Sequence, residues 1–171
     1  MSLNLQTRYL GLELRNALVA SAGPLTGSID SLRRLEAEGA AAAVLPSLFE
    51  EQLVHEEMEL HRLQEGHTES FAGTDFYLRL IEAAREAVKI PIIASLNGAS
   101  PGGWTEYARR MADAGADALE LNIYFVPTDP NQSGEEVEQR YLNLVQAVSE
   151  AVEIPLAVKT GPSCSSLPYF V

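Results

Sequence analysis

The sequence predicts an α/β protein, a partial (β/α)8 barrel with about five of the eight βα units and a short N-terminal hairpin. Three observations predict it. Short, continuously apolar runs bounded by turn residues recur along the chain. Segments of helical periodicity separate them, and the junctions between the two kinds of segment repeat one another.

The first segment, "TRYLGLELRN" (7–16), reads as a small hairpin that plugs the bottom of the barrel. The apolar runs follow: "ALVASAG" (17–23), "AAAVLPS" (41–47), "IPIIASLNG" (90–98), "ALELNIY" (118–124) and "IPLAVKTGP" (154–162). Each core is apolar without alternation, as a strand buried on both faces of a parallel sheet requires. Between them, "SIDSLRRLEAEG" (28–39) offers Ser28 and Asp30 as N-caps and Gly39 as the C-cap. "TDFYLRLIEAAREAV" (74–88) places Phe76, Leu80, Ala83, Ala84 and Ala87 on one stripe. "WTEYARRMADAG" (104–115) can start at Thr105 and closes on a glycine. "SGEEVEQRYLNLVQAVSEAV" (133–152) opens on two glutamates that suit the helix dipole, and it spaces Val137, Tyr141, Leu144, Val145 and Val148 helically. "EAEGAAAAVLP" resembles "ADAGADALELN", and "AAREAVKIPIIASLNG" resembles "AVSEAVEIPLAVKTGP". Alternating strands and helices leave a doubly wound sheet or a barrel. No G-x-G-x-x-G follows the first strand, where "SAGPLTGS" offers only Gly23 and Gly27, so the barrel is favoured. Residues 1–171 read as one incomplete barrel domain lacking strands six to eight.

Composition narrows the function. The net charge of −12, from 24 acidic and 12 basic residues, argues against non-specific binding to nucleic acid or to an anionic membrane. A phosphate-bearing small ligand is still admissible, since it needs only a local cluster of donors. The single cysteine, Cys164, excludes an internal disulfide framework and suits a reducing compartment. No run approaches the roughly 20 apolar residues of a membrane span, and the N-terminus lacks a signal peptide's pattern. The chain reads as a soluble, acidic, cytoplasmic protein.

In a barrel the chemistry gathers at the C-terminal ends of the strands. Those ends carry Ser21, Ala22 and Gly23; Pro46 and Ser47; Ser95, Leu96 and Asn97; Asn122; and Lys159. Hydroxyls, carboxamides and one lysine suit a planar polar heterocycle with an anionic edge. Ser21, Ser47 and Ser95 serve equally well as small strand-end residues that satisfy loop amides. Asn122 lies inside a buried run, where an unpaired carboxamide is costly. Lys159 ends an apolar run, so its ammonium must snorkel out or meet a partner. His55, His61 and His67 recur every six residues, which on a helix turns about 600° and disperses them, so they read as a solvated lid face rather than a metal site. Cys164 has no histidine near it in sequence and reads as a bystander.

The ordered series "TRYLGLELRNALVASAGPL", "VLPSLFEEQ", "IPIIASLNG", "GADALELNIY" and "IPLAVKTGP" resembles the dihydroorotate dehydrogenase family, in its class 1 branch and the "dihydroorotate dehydrogenase-like" proteins within it. The resemblance covers essentially the whole chain and corresponds to an N-terminal portion of the family fold. It implies an eight-stranded TIM barrel holding FMN at its C-terminal mouth, in a cytoplasmic flavoprotein of pyrimidine biosynthesis. Such enzymes oxidise dihydroorotate to orotate as a base removes one proton and a hydride passes to the flavin. By this resemblance Ser21 lies against the flavin, Ser47 and Ser95 bond its ring or ribityl region, Asn122 touches flavin and substrate, and Lys159 faces the ring's polar edge.

Three departures accompany the resemblance. Pro46 stands where the family usually has a lysine. The family's cysteine or serine base is replaced, with Phe125 at that position and Tyr124 beside it. Phenylalanine cannot accept a proton, and a tyrosine is a poor base at its ordinary pKa of about 10. The strands expected to hold the FMN phosphate are absent from this sequence, which reads as a truncation, a fragment, or a half-barrel completed by homo-oligomerisation. Two further readings stand beside the flavoenzyme. One is a non-catalytic, self-associating or partner-binding partial barrel. The other is an aldolase-type barrel with Lys159 as a Schiff base.

Overall fold

The computed structural model describes residues 3–49, 74–97, 104–124, 126–161 and 164–170. Thr7–Tyr9 (β1) and Leu12–Leu14 (β2) pair antiparallel as the expected hairpin. Its two-residue turn places Leu10 at φ 53° and Gly11 at φ 74°, the left-handed pair that matches the twist of the flanking strands.

The main sheet is parallel. It contains Val19–Ala20 (β3), Ala42–Val44 (β4), Leu48–Phe49 (β5), Ile92–Asn97 (β6), Ala118–Ile123 (β7) and Leu156–Thr160 (β8). The path runs β3-β4-β6-β7-β8, with β5 pairing β6 beyond the end of β4. The strand expected over 41–47 is thus only Ala42–Val44, and β5, just beyond the expected run, adds a second short piece on the same edge of β6. Pro46, which has no N–H to offer a ladder, lies in the break.

Among the described residues four helices cover the outer face: Ile29–Ala37 (α1), Thr74–Ala87 (α2), Trp104–Asp113 (α3) and Gly134–Ala151 (α4). A short turn of helix, Leu167–Phe170 (α5), docks Phe170 edge-on against Tyr141 of α4. Of the two candidate caps, Ser28 caps α1 by accepting from the Ser31 amide, while Asp30 lies within the first turn. Ser133 and Glu136 close a reciprocal capping box on α4, and these bonds hold the Glu136 carboxyl below its ordinary range.

The repeated junctions are the same motif twice. After α1, Gly39 donates to Glu36 O (3.1 Å) and Ala40 to Leu35 O (2.9 Å). After α3, Gly115 donates to Ala112 O (2.9 Å) and Ala116 to Met111 O (3.2 Å). Both are Schellman ends, and the glycines sit at φ +107° and +97°, where a Cβ is strained.

The core has two layers. Between sheet and helices lie Leu32, Leu45, Ile81, Ile92, Leu119 and Leu144 among others. On the inner face Leu14, Ala41, Ala42, Val44, Ile93 and Ala118 pack together with Leu10, Leu12 and Val19. The hairpin thus covers the N-terminal part of the sheet's inner face and leaves the C-terminal strand ends free.

Two expectations need correction. Phe76 is 65% exposed, and the buried stripe of α2 is Tyr77, Leu80, Ile81, Ala84 and Val88. Of the predicted stripe, Leu80 and Ala84 are buried and Ala83 and Ala87 half-buried; Phe76 alone is misplaced, because the run also contains Tyr77, Leu78 and Ile81 and so supports more than one phase. The first and last strands are also not buried on both faces: Leu18 is 65% exposed and Val19 and Ala20 of β3 are half-buried at the other sheet edge. Leu156 and Ala157 are half-buried while Val158, Lys159 and Thr160 are exposed, because β8 is an edge strand paired only with β7. The result is a curled α/β sheet of barrel type.

No atom lies within 4 Å of a Cβ built at Gly39, so Gly39→Ala tests backbone strain alone. It should lower the unfolding free energy by about 1–2 kcal/mol with an unchanged denaturant slope, read by urea titration.

Candidate functional site

Strand period two fixes which residues face inward. The register pairs Ser95 with Glu120 and Asn97 with Asn122, then Glu120 with Ala157 and Asn122 with Lys159. Ser95, Asn97, Glu120, Asn122 and Lys159 therefore share the inner face near the C-terminal ends of β6, β7 and β8.

Their polar atoms form a line across the strands. Ser47 Oγ and Ser95 Oγ share a hydrogen bond of 2.8 Å. Ser95 Oγ lies 3.4 Å from Glu120 Oε1, and the same oxygen lies 3.6 Å from Lys159 Nζ. Ser95 is fully buried, the Glu120 side chain is 13% exposed and the Lys159 side chain 55% exposed. The line thus runs from a dry hydroxyl pair to a solvated ammonium through one nearly buried carboxylate.

Ser95 is held from behind as well. On the β4 edge of β6, Leu45 donates to Ile93 O (2.9 Å), and strand pairing resumes only at Leu48–Leu96. In this gap the phenol of Tyr77 substitutes for the missing strand. Ser95 N–H donates to Tyr77 Oη (2.9 Å), and Tyr77 Oη faces Ser95 O at 3.4 Å. Burial pushes the Tyr77 phenol well above its ordinary range; the Ser95 N–H opposes this, and the Glu120 charge adds to it.

An open cavity of about 400 Å³ lies below the line on the inner face, lined by Tyr9, Val19, Ser21, Val44, Ile93, Glu120 and others. Ser21 is exposed and lines this cavity, which neither Ser47 nor Ser95 lines. Another hollow, about 520 Å³, lies beside the loop after β7, among Val126, Asp129, Glu136 and Arg140. It contains none of the inward strand-end residues, and Glu136 there is occupied by the helix cap.

The structure brings Ser47, Ser95, Asn122 and Lys159 to one mouth. Tyr124 is 63% exposed, with its ring beside Gly161, where a Cβ would lie 3.6 Å from it. Pro46 is half-buried against Gly27, where a Cβ would lie 3.3 Å from Pro46 Cγ. Phe125, His55, His61 and His67 lie outside the described residues. Among the described residues no three His, Cys, Asp or Glu side chains converge as a metal site, and no helix is long and apolar enough to cross a membrane.

Two contributors escaped the sequence reading. Glu120 was legible, being the one charged residue in "ALELNIY" and two positions before Asn122, on the same strand face. Tyr77 was not, because its partner is a backbone gap visible only once β4 has been placed.

No protein-family model matches the chain. It is 31% identical to the dihydroorotate dehydrogenase B (NAD(+)) catalytic subunit of Methanocella arvoryzae, over 92% of this chain and 53% of that protein. The subunits of the same name from Methanosarcina acetivorans and Pyrococcus abyssi are 28% and 25% identical, over 92% and 95% of this chain and 53% and 56% of theirs. The chain thus spans about half the length of these relatives. Among solved structures it is similar to dihydrodipicolinate synthases from Bacillus anthracis and Agrobacterium tumefaciens, with TM-scores of 0.53 and 0.51. Identity there is 16% and 18%, over 86% and 85% of this chain and 47% and 45% of theirs, a likeness of fold alone.

Removing the Tyr77 hydroxyl leaves the buried Ser95 amide unpaired, so Tyr77→Phe should cost about 1–3 kcal/mol at neutral pH. Because the folded pKa is raised, the tyrosine's contribution is complete below about pH 10, the unfolded value, and is lost as pH rises beyond it. Urea unfolding from pH 7 to 11 should show a steeper alkaline decline for the wild type than for the variant. Parallel declines would contradict the assignment.

Proposed function

By sequence this chain falls in the dihydroorotate dehydrogenase family as a counterpart of an N-terminal portion of its members, and from that premise we propose that its strand ends form part of an FMN site in an oxidoreductase. The observation that carries this reading is the inward line Ser47–Ser95–Glu120–Lys159, with Asn97 and Asn122 in register beside it. The donor set suits an isoalloxazine ring, whose polar edge needs hydroxyls, carboxamides and a cation while its faces need apolar neighbours. Bound, the flavin would supply the hydride acceptor for a dihydroorotate-like small molecule.

Each residue then has a distinct part. Ser47 and Ser95 orient each other's hydroxyl toward the mouth. Asn122, flanked by buried Leu121 and Ile123, presents a carboxamide that can serve ring and substrate. Lys159 brings positive charge to an otherwise acidic chain, where electron density arriving on a ring would be stabilised. Ser21 sits on the cavity wall and would meet the ring from below. Proton abstraction is unassigned, since Tyr124 and Phe125 occupy the family's base position. This fits the "-like" subgroup, with an altered substrate or chemistry.

Titrating the chain with FMN, followed by quenching of flavin fluorescence, should give weak but saturable binding. Lys159→Met should weaken it about tenfold, equivalent to about 1.4 kcal/mol. No binding by the wild type at any accessible concentration would remove the flavin reading.

A second reading, a self-associating partial barrel, draws on one observation: β8 presents exposed Val158, Lys159 and Thr160 along an unpaired edge. Light scattering across a range of protein concentrations should then give a mass above that of one chain. A constant monomer mass would count against it.

A further inference from the structure

Among the described residues Glu120 is the charged group on the buried stretch of the inner face, and although it belongs to the polar line, the ring-binding reading gives it no part of its own. Its carboxylate is nearly buried, and a buried carboxylate is costly unless paired. Only one oxygen has both partners: Oε1 faces Ser95 Oγ at 3.4 Å and Lys159 Nζ at 3.6 Å. Ser95 is in turn fixed on its other sides by Ser47 Oγ and by the Tyr77 phenol at its backbone. The carboxylate therefore has a partner on the sheet side and offers its charge to the most exposed member of the line.

Lys159 needs such an anchor. It stands on an edge strand with its side chain more than half exposed, and β7 limits its four-carbon stem on one side only. An unanchored ammonium there would sample solvent, and a ligand would have to restrict it on binding. Glu120 comes from the adjacent strand, one inward step below the level of Lys159. The register pairs Lys159 with Asn122 and Glu120 with Ala157, so the carboxylate reaches the amine diagonally.

We propose that Glu120 is a positioning residue that holds the Lys159 ammonium at the mouth of the sheet, ready for the anionic edge of a planar ligand. This deepens the ring-binding reading above and rests on it for the identity of the ligand, but the Glu120–Lys159 link can be tested without any ligand.

The chain has only two lysines, Lys89 and Lys159, and Lys89 is exposed on the far side of the fold. Brief acetylation with acetic anhydride, read by peptide mass spectrometry, therefore gives a Lys159:Lys89 rate ratio in which Lys89 is the internal standard. Acylation needs the amine to approach the reagent, so an amine held against a carboxylate reacts slowly. Glu120→Gln should raise the ratio several-fold, Glu120→Asp should return part of the protection, and Lys89 should not change. Ser95→Ala, which keeps the charge but loosens its holder, should give a smaller rise and guards against a Gln variant that misfolds. An unchanged ratio in folded Glu120→Gln overturns the proposal.

With FMN, Glu120→Gln and Lys159→Met should each weaken binding, and the double variant should be no weaker than Lys159→Met alone. Additive losses would show that Glu120 acts independently of Lys159 and would also overturn the proposal. If the wild type binds no FMN, the flavin reading falls, and the acetylation ratio by itself decides whether Glu120 holds Lys159.

Discussion

The amide of Ser95 must be paired in a place where no strand can reach it. β6 is the strand on which β4, β5 and β7 all assemble, and its residues 92–96 are buried on both faces. The chain leaves β6 at Pro46 and returns at Leu48, so one rung of the ladder is missing in a place that excludes water. Tyr77 fills it from a helix, and this single contact ties α2 to the sheet at the level where the chemistry sits. An unpaired buried amide would cost about 1–3 kcal/mol, a large share of a domain's net stability. The break therefore has a use. It lets Ser47 turn its hydroxyl onto Ser95 instead of continuing a strand, and so begins the polar line that crosses to Lys159.

Charge distribution gives the line its direction. The chain carries a net charge of −12, so an anionic ligand edge depends on a local cation such as the Lys159 ammonium at the mouth. Glu120 lies one inward step below Lys159 on the adjacent strand, and its side chain is 13% exposed against 55% for the lysine. The ammonium is thus the more accessible member of the pair for a ligand.

Much of this arrangement could be read in the sequence, for identifiable physical reasons. The Gly39 and Gly115 ends were visible because a left-handed C-terminus demands glycine. The start of α4 was visible because two glutamates in its first turn suit the helix dipole, while the Ser133 cap emerged only with the structure. The inward set Ser95, Asn122 and Lys159 was visible because polar residues ending an apolar run on one strand face have few other reasons to be there. Phe76 was misplaced because helical periodicity in a run containing Phe, Tyr, Leu and Ile supports more than one phase; the sheet selected Tyr77, whose hydroxyl had a partner. The exposure of β8 was hidden because a strand's sequence carries its own apolarity but not the presence of a neighbour on its far edge.

That last point bears on Lys159. In a strand flanked on both sides, a lysine's stem would be confined by packing, and its position would need no further device. On an edge strand, packing confines only the side facing β7, and an ion pair has to do the rest. Exposed ion pairs contribute little, because solvent screens them and ordering two long side chains costs entropy. Here one member is 13% exposed and already fixed by Ser95, so most of that entropy is spent before the lysine arrives. The pair's effect on stability is therefore small, while its effect on where the ammonium points is large. Removing the carboxylate should disturb the geometry of the mouth more than the stability of the fold.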